Sequence, residues 1–194
     1  MFKTFFNKKT DVADSEPYNS TAGSDSAELA AELLIAPTAL MQLTLPEARA
    51  IVRYMQPHRV AKGTAFIREG DARDTGFMML LLDGEVTVET LVVSRVEPII
   101  ITVLGPGSLI GEMGMFDGEA RYASCVAATP LRCGILTRQS LNKLMLENPP
   151  VAAKLLLAVS LRIGARLREV TDKLKMYAQL TQAMEQEICS RPVP

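Results

Sequence analysis

The hydrophobic positions of this chain change period twice, from helical spacing to short β-rich runs and back to helical spacing. Residues 27–35 and 44–54 predict two short helices, the second with Thr44 as N-cap and Pro46 in its first turn. From residue 60, runs broken by Gly, Asp and Pro are typical of an antiparallel barrel or jelly roll. Asp83-Gly84 between two apolar runs predicts a hairpin. The predicted strands cover 60–61, 65–68, 77–82, 85–93, 99–104, 122–128 and 131–137.

Helical spacing returns after residue 137 and predicts a helix over 139–147, which Asn148-Pro149-Pro150 ends. The helix that follows carries heptads from 156 to 188 and would extend roughly 50 Å. A single β-roll of this size cannot cover such a stripe, so we expect a parallel homodimer. The predicted dimer seam contains Leu156, Ile163, Leu167, Val170, Leu174 and Tyr177, with Ser160, Thr181, Met184 and Ile188 in further heptad positions.

These patterns together predict an α+β fold. It consists of an antiparallel β-roll or jelly roll, flanked by N-terminal helices and a long C-terminal dimerisation helix. We expect a flexible, polar tail over 1–26, the N-terminal helices over 27–57 and the β-roll over 58–137. The lid and coiled-coil helices are expected over 138–190.

Composition adds limits on the class of protein. The net charge of −1 and pI near 5.9 give no global attraction to nucleic acid or an anionic membrane. The three cysteines lack CxxC spacing, so we expect no disulfide framework or zinc site and a reducing, cytoplasmic environment. We find no signal peptide or apolar run of membrane-spanning length, and expect neither metal nor cofactor.

The strongest chemical signal is a glycine-rich segment over 107–127 that carries Glu112 and Arg121. A helical turn starting near Glu112 would direct unpaired N–H groups at an anion. Arg121 could bind a phosphate through two parallel hydrogen bonds, while Glu112 accepts from a sugar hydroxyl. The alternative without a ligand is a structural ion pair between Glu112 and Arg121. The glycines of this segment are Gly107, Gly111, Gly114 and Gly118.

Residues 107–127 resemble the phosphate-binding cassette of the cyclic nucleotide-binding domain family. That family includes the bacterial catabolite activator protein, the regulatory subunits of protein kinase A and the cyclic-nucleotide-gated channels. The flanking segments 68–71, 76–86 and 104–107 follow the family pattern as well, so the resemblance covers roughly residues 45–190. It implies a cyclic nucleotide ligand held by Ile110, Gly111, Glu112, Met113, Arg121, Tyr122 and Ala123.

The resemblance also implies a base contact from the long helix, where an ungapped alignment selects Arg162 and a shift of one turn selects Arg166. Both could instead be flanking charges of a coiled coil. Tyr122 departs from the family, which usually has Ala, Ser or Thr there, and Thr favours cGMP. Because Tyr122 replaces that Thr, we expect cAMP to be the preferred ligand.

Only residues 189–194 follow the last heptad, so we expect no winged helix-turn-helix and no direct DNA binding. The resulting interpretation is a stand-alone cAMP sensor that dimerises and regulates a separate, unidentified effector protein. A dimerisation or scaffold module with a degenerate pocket remains open, as does a sensor of cGMP or cyclic di-GMP. We expect no enzyme, because the candidate site offers one carboxylate and no histidine or metal constellation, hence no catalytic residues.

Overall fold

The computed structural model describes residues 20–40, 42–90 and 98–190, without the side chains of 20–24, 185 and 187–190. Its helices are α1 (Ser20–Leu34), α2 (Leu45–Val52), α3 (Glu112–Asp117), α4 (Arg138–Glu147) and α5 (Pro149–Ser190). Its strands are β1 (Gln56–Val60), β2 (Ala65–Ile67), β3 (Phe77–Asp83), β4 (Val86–Thr90), β5 (Ile99–Leu104), β6 (Leu109–Ile110), β7 (Ser124–Ala127) and β8 (Leu131–Thr137).

The strands form two four-stranded antiparallel sheets with the orders β1-β8-β3-β6 and β2-β7-β4-β5. In the centre of the first sheet, β3 pairs with β8 from Phe77 opposite Thr137 to Asp83 opposite Arg132. The predicted α+β fold, an antiparallel β-roll with N-terminal helices and a long C-terminal helix, is confirmed.

Strand β3 is apolar along nearly its whole length because both of its faces are buried. Phe77, Met79 and Leu81 point into the roll between the two sheets. Met78 and Leu80 point to the opposite face, where they pack with the helices. Alternating side chains of one strand therefore serve two hydrophobic cores. This arrangement places the helices directly behind the first sheet, whose edge strand β6 leads into α3.

Several predicted boundaries differ from the structure. Helix α1 begins at Ser20, so residues 20–26 of the predicted flexible tail are helical, and residues 1–19 lie outside the described residues. Strand β1 covers Gln56–Val60 rather than 60–61, because this polar edge strand has no hydrophobic alternation to reveal it. Strand β7 begins at Ser124 rather than at 122, and residues 91–93 of a predicted strand lie outside the described part.

The predicted capping signals agree with the structure. The backbone N–H of Thr44 donates to Glu47 Oε2 at 2.9 Å at the start of α2. Asn148 separates α4 from α5, and its carbonyl accepts from the N–H of Ala152 at 3.0 Å. No helix within 20–40, 42–90 and 98–190 is both long and apolar enough to span a bilayer.

The residues of the predicted dimer seam on α5 differ in exposure. Leu156 and Ile163 are partly buried and pack against the helical core of their own chain. Four later seam residues are exposed, which leaves this apolar stripe without cover in the single chain. The exposed fractions are 66% for Leu167, 50% for Val170, 63% for Leu174 and 59% for Tyr177.

The hairpin predicted at Asp83-Gly84 is wrong, because β3 and β4 lie in different sheets and pair with other strands. The turn at Gly84 instead connects the two sheets, and its replacement tests the packing of the roll. Gly84 has φ of 94°, and a Cβ built there would lie 2.5 Å from the carbonyl oxygen of Pro130. We expect Gly84→Ala to lower the free energy of unfolding by about 2 kcal/mol or more, because backbone strain and a backbone clash add. Urea denaturation measures this. Gly63→Ala is the matched control, since Gly63 has φ of 80° but open space around its Cβ. Equal losses in the two variants would contradict the packing argument.

Candidate functional site

The short helix α3 enters the site through glycines with a left-handed backbone. Gly111, its N-cap, has φ of 82°, and Gly118, its C-cap, has φ of 75°. A Cβ at Gly111 would lie 2.8 Å from Nη1 of Arg121, and one at Gly114 would lie 3.1 Å from the same atom. These glycines therefore let the α3 backbone approach the guanidinium directly, which side chains at either position would prevent.

Arg121 lies beneath this helix with an exposed fraction of 5%. Its Nη1 donates to the carbonyl of Gly111 at 2.8 Å, and its Nη2 donates to those of Asp74 at 3.0 Å and Phe77 at 3.2 Å. The guanidinium carbon also lies 4.7 Å from the centre of the Phe77 ring. Three carbonyls and an aromatic face thus hold the cation in one orientation.

One nitrogen of Arg121 has no hydrogen-bond partner among the described residues. Its buried Nε is the one buried side-chain nitrogen or oxygen without a hydrogen-bond partner in the described part of the chain. A buried unsatisfied donor is costly, and such an atom in a native structure needs an explanation, of which a group bound at the site is one. Burial lowers the pKa of Arg121, while the nearby carboxyls of Asp74 and Glu112 oppose that shift.

Glu112 is buried and makes its ion pair with the long helix. Its Oε1 accepts from Nη1 of Arg166 at 2.7 Å, and its side chain is 4% exposed against 29% for that of Arg166. The alternative of a structural ion pair between Glu112 and Arg121 is therefore wrong. The first residue of α3 instead forms an ion pair with α5.

A cavity of about 460 Å³ lies between α3, the second sheet and α5. Its volume lies within the usual range of small-molecule sites. Eight of the nine predicted site residues line this cavity, and the ninth, Glu112, is paired with Arg166. The eight are Ile110, Gly111, Met113, Arg121, Tyr122, Ala123, Arg162 and Arg166.

The two candidate arginines of α5 occupy different places along this wall. Arg166 reaches the cassette through Glu112, whereas Arg162 lies one turn earlier on the same side of the helix. Tyr122 lines the cavity and is 56% exposed.

Sequence reasoning missed part of the cavity wall. Glu169 and Lys173 follow Arg162 by seven and eleven positions, and the helical period already places all three on one side of α5. Val170, predicted for the dimer seam, lines the cavity as well. Ile101 and Thr102 of β5 form the facing wall, and no local signal marks them, because only the folded roll brings β5 opposite α5.

Cys125 is the cysteine of the cavity wall. Burial raises the pKa of the Cys125 thiol, which lines the cavity, to about 12. This thiol is therefore protonated and weakly nucleophilic at neutral pH. Within the described residues no group of three or more His, Cys, Asp or Glu side chains could hold a metal ion.

A β-roll with a nucleotide-sized cavity, closed on one side by a glycine-flanked helix over a buried arginine, defines a small-ligand-binding domain. The family model of the cyclic nucleotide-binding domain matches residues 57–148. These residues therefore belong to the cyclic nucleotide-binding domain family, and the resemblance stated from the sequence is confirmed.

Relatives extend the similarity beyond those residues. A cyclic nucleotide-binding domain from Methylobacillus flagellatus has a TM-score of 0.67 and 27% identity, over 82% of this chain and 93% of that one. The catabolite activator protein of Thermus thermophilus has a TM-score of 0.62 and 24% identity, over 75% of this chain and 63% of that one. A CRP-like cAMP-activated global transcriptional regulator of Mycobacterium tuberculosis is 24% identical over 72% of this chain. The matched part covers 61% of that regulator's length.

Proposed function

We propose that this protein is a cyclic nucleotide sensor with cAMP as its preferred ligand. It dimerises through α5 and regulates a separate effector protein in the cytoplasm. The observation that carries the proposal is the cavity of about 460 Å³ lined by Arg121, a buried residue whose Nε–H has no partner in the part of the chain that the structure describes. A cyclic phosphate supplies the acceptor that this donor lacks, and α5 forms one wall of the same cavity.

Each part of a cyclic nucleotide has a complementary group. The phosphate faces Arg121 and the N–H groups at the start of α3. The ribose hydroxyl needs an acceptor, which Glu112 supplies once its carboxylate is shared with or released from Arg166. The base then lies along the wall formed by Arg162, Arg166 and β5.

The signal follows from the ion pair between Glu112 and Arg166. Because ribose and Arg166 compete for one carboxylate, ligand binding changes the contact between α3 and α5. The ligand shifts the population towards the conformational state that it binds more tightly. The size of this shift is set by the difference between its affinities for the two states. A change in α5 alters the exposed stripe from Leu167 to Tyr177, which the second chain and the effector contact.

A panel of nucleotides tests the proposal. We expect cAMP at 100 times its dissociation constant to add about 2.7 kcal/mol to the free energy of unfolding. This should raise the melting temperature by roughly 5–10 °C. The measurement is thermal unfolding with cAMP, cGMP and cyclic di-GMP, followed by titration calorimetry, with AMP as the control that lacks the cyclic phosphate. No shift with any cyclic nucleotide would reject the sensor.

The order of affinities is a separate prediction. Tyr122 replaces the small hydroxyl residue that gives relatives their cGMP preference, so we expect cAMP to bind at least as tightly as cGMP. The cAMP-activated regulator of Mycobacterium tuberculosis among the relatives supports this order. Calorimetric dissociation constants for the two nucleotides decide it. A cGMP affinity tenfold or more above that for cAMP would contradict the assignment.

One observation favours a second candidate, a dimerisation or scaffold module that binds no nucleotide. Both terminal nitrogens of Arg121 already bind carbonyl oxygens, and Glu112 already binds Arg166. These contacts satisfy most of the site without a ligand. The calorimetric titrations separate the candidates, since the scaffold gives no binding heat while the α5 dimer persists.

A further inference from the structure

The C-terminal end of the cassette helix α3 is held by an arginine from another element. Nε and Nη2 of Arg138 donate to the carbonyl of Met115 at 3.0 and 2.8 Å, and Nη2 also donates to that of Gly114 at 3.3 Å. The last carbonyls of a helix lack intrahelical partners and carry partial negative charge. A guanidinium therefore satisfies this end of α3 with charge-assisted hydrogen bonds.

Arg138 stands where the β-roll passes into the C-terminal helices. It is the first residue of α4, and its own N–H donates to the carbonyl of Gly76 at 2.8 Å. The next residue, Phe77, holds Arg121 through its ring and its carbonyl. The main chain of Arg138 is thus fixed to the β3 end that orients Arg121, while its side chain reaches the helix above.

The other end of α3 is bound to the same helical unit. Glu112, the first residue of α3, is paired with Arg166 of α5. Helices α4 and α5 follow each other directly and share one core, in which Leu144 and Leu155 are fully buried. Arg138 and Arg166 therefore hold α3 at both ends from one packed unit.

We infer that Arg138 is a positioning residue that makes α3 and the α4–α5 unit move together. This inference deepens the proposed function and rests on it only where a nucleotide is involved. Without the guanidinium, α3 still folds and Arg121 keeps its carbonyls, but a displacement of α3 no longer reaches α4. Nucleotide binding is then retained. The part of the α5 response that passes through α4 is lost, and the part that passes through Glu112 and Arg166 remains.

The first experiment needs no ligand. Hydrogen exchange measured by mass spectrometry compares the amides of residues 114–118 in the wild type, Arg138→Met and Arg132→Met. Arg132 is the matched control, because this exposed arginine lies on the same strand-to-helix segment but donates to Ser26 Oγ at 3.0 Å. We expect exchange to accelerate by about tenfold in Arg138→Met only. Arg138→Lys should recover part of the protection, and equal exchange in the Met variants would overturn the inference.

A double-mutant cycle tests the coupling itself, again without ligand. Arg166→Met releases the other end of α3, alone or together with Arg138→Met. If the α4–α5 unit holds both ends of α3, Arg166→Met should accelerate hydrogen exchange less in the Arg138→Met background than in the wild type. Acceleration factors that multiply to within about twofold would show independent contacts and overturn the coupling.

The nucleotide arm separates this inference from the proposed function. With cAMP saturating, peptides covering residues 162–177 should change their exchange in the wild type. In Arg138→Met that change should fall below half, while calorimetric affinity stays within about fivefold. A full α5 response in Arg138→Met overturns the inference. If the wild type binds no cyclic nucleotide, the proposed function fails, and the ligand-free cycle still decides the role of Arg138.

Discussion

Replacing Arg121 with alanine is expected to weaken cyclic nucleotide binding by about 2–5 kcal/mol, which is roughly thirtyfold or more. The phosphate keeps its charge in the variant but loses the buried guanidinium, 5% exposed, whose Nε–H has no other partner. Titration calorimetry with cAMP measures the loss. Glu112→Ala should weaken binding less, because it removes a sugar contact rather than the partner of a full charge.

The same substitution also acts on stability. The carbonyls of Gly111, Asp74 and Phe77 each lose a hydrogen bond from the guanidinium, so we expect the free energy of unfolding to fall by about 1–3 kcal/mol. Arg121→Lys keeps the charge but cannot reach three carbonyls at once, and should give intermediate losses of affinity and stability. Arg132→Ala, at an exposed position, is the control. A folded Arg121→Ala protein with unchanged cAMP affinity would remove the phosphate assignment.

Replacing Leu167 and Leu174 together with lysine is expected to convert a dimer into a monomer. Both side chains are more than 60% exposed in the single chain, and each contributes about 1.5–3 kcal/mol when fully buried. In the double variant, lysines from two chains would face each other across the seam. Light scattering should give twice the 21.2 kDa chain mass for the wild type and a single chain mass for the variant.

The control for this pair is Leu161→Lys. Leu161 is 44% exposed on the same helix, but it follows the seam position Ser160 and so points about 100° away from the seam. This variant should remain dimeric. Ligand affinity should change in the double seam variant, because Val170 and Lys173 between the two sites line the cavity. A wild-type monomer at tens of micromolar, with or without nucleotide, would contradict the dimer and the signalling proposed from it.

The elements with a complete local signal were predictable from the sequence. The run from Phe77 to Leu82 predicted a strand, and the glycines around Glu112 predicted the turn into α3. Strands β1 and β6 gave no such signal. The first is polar because it lies at an edge, and the second has only two residues, so both exist through pairing with β8 and β3.

The candidate site shows the same division. The identity of Arg121 and its glycines follows from the sequence, since close approach of a backbone to a guanidinium requires residues without Cβ. Which α5 arginine reaches the cassette could not follow from it, because Arg162 and Arg166 differ by one helical turn. Only the packing of α5 against the roll selects Arg166 for Glu112.

What the sequence by itself determined is the periodicity of the longer elements and the chemistry of the cassette, because both are properties of neighbouring residues. The tertiary structure alone decided which groups from distant segments meet. It paired Glu112 with α5 and placed Arg138 at the end of α3. It also partly buried Leu156 and Ile163 while leaving Leu167 exposed. These contacts join residues tens of positions apart, and their geometry depends on how α5 packs on the sheet, which no local pattern encodes.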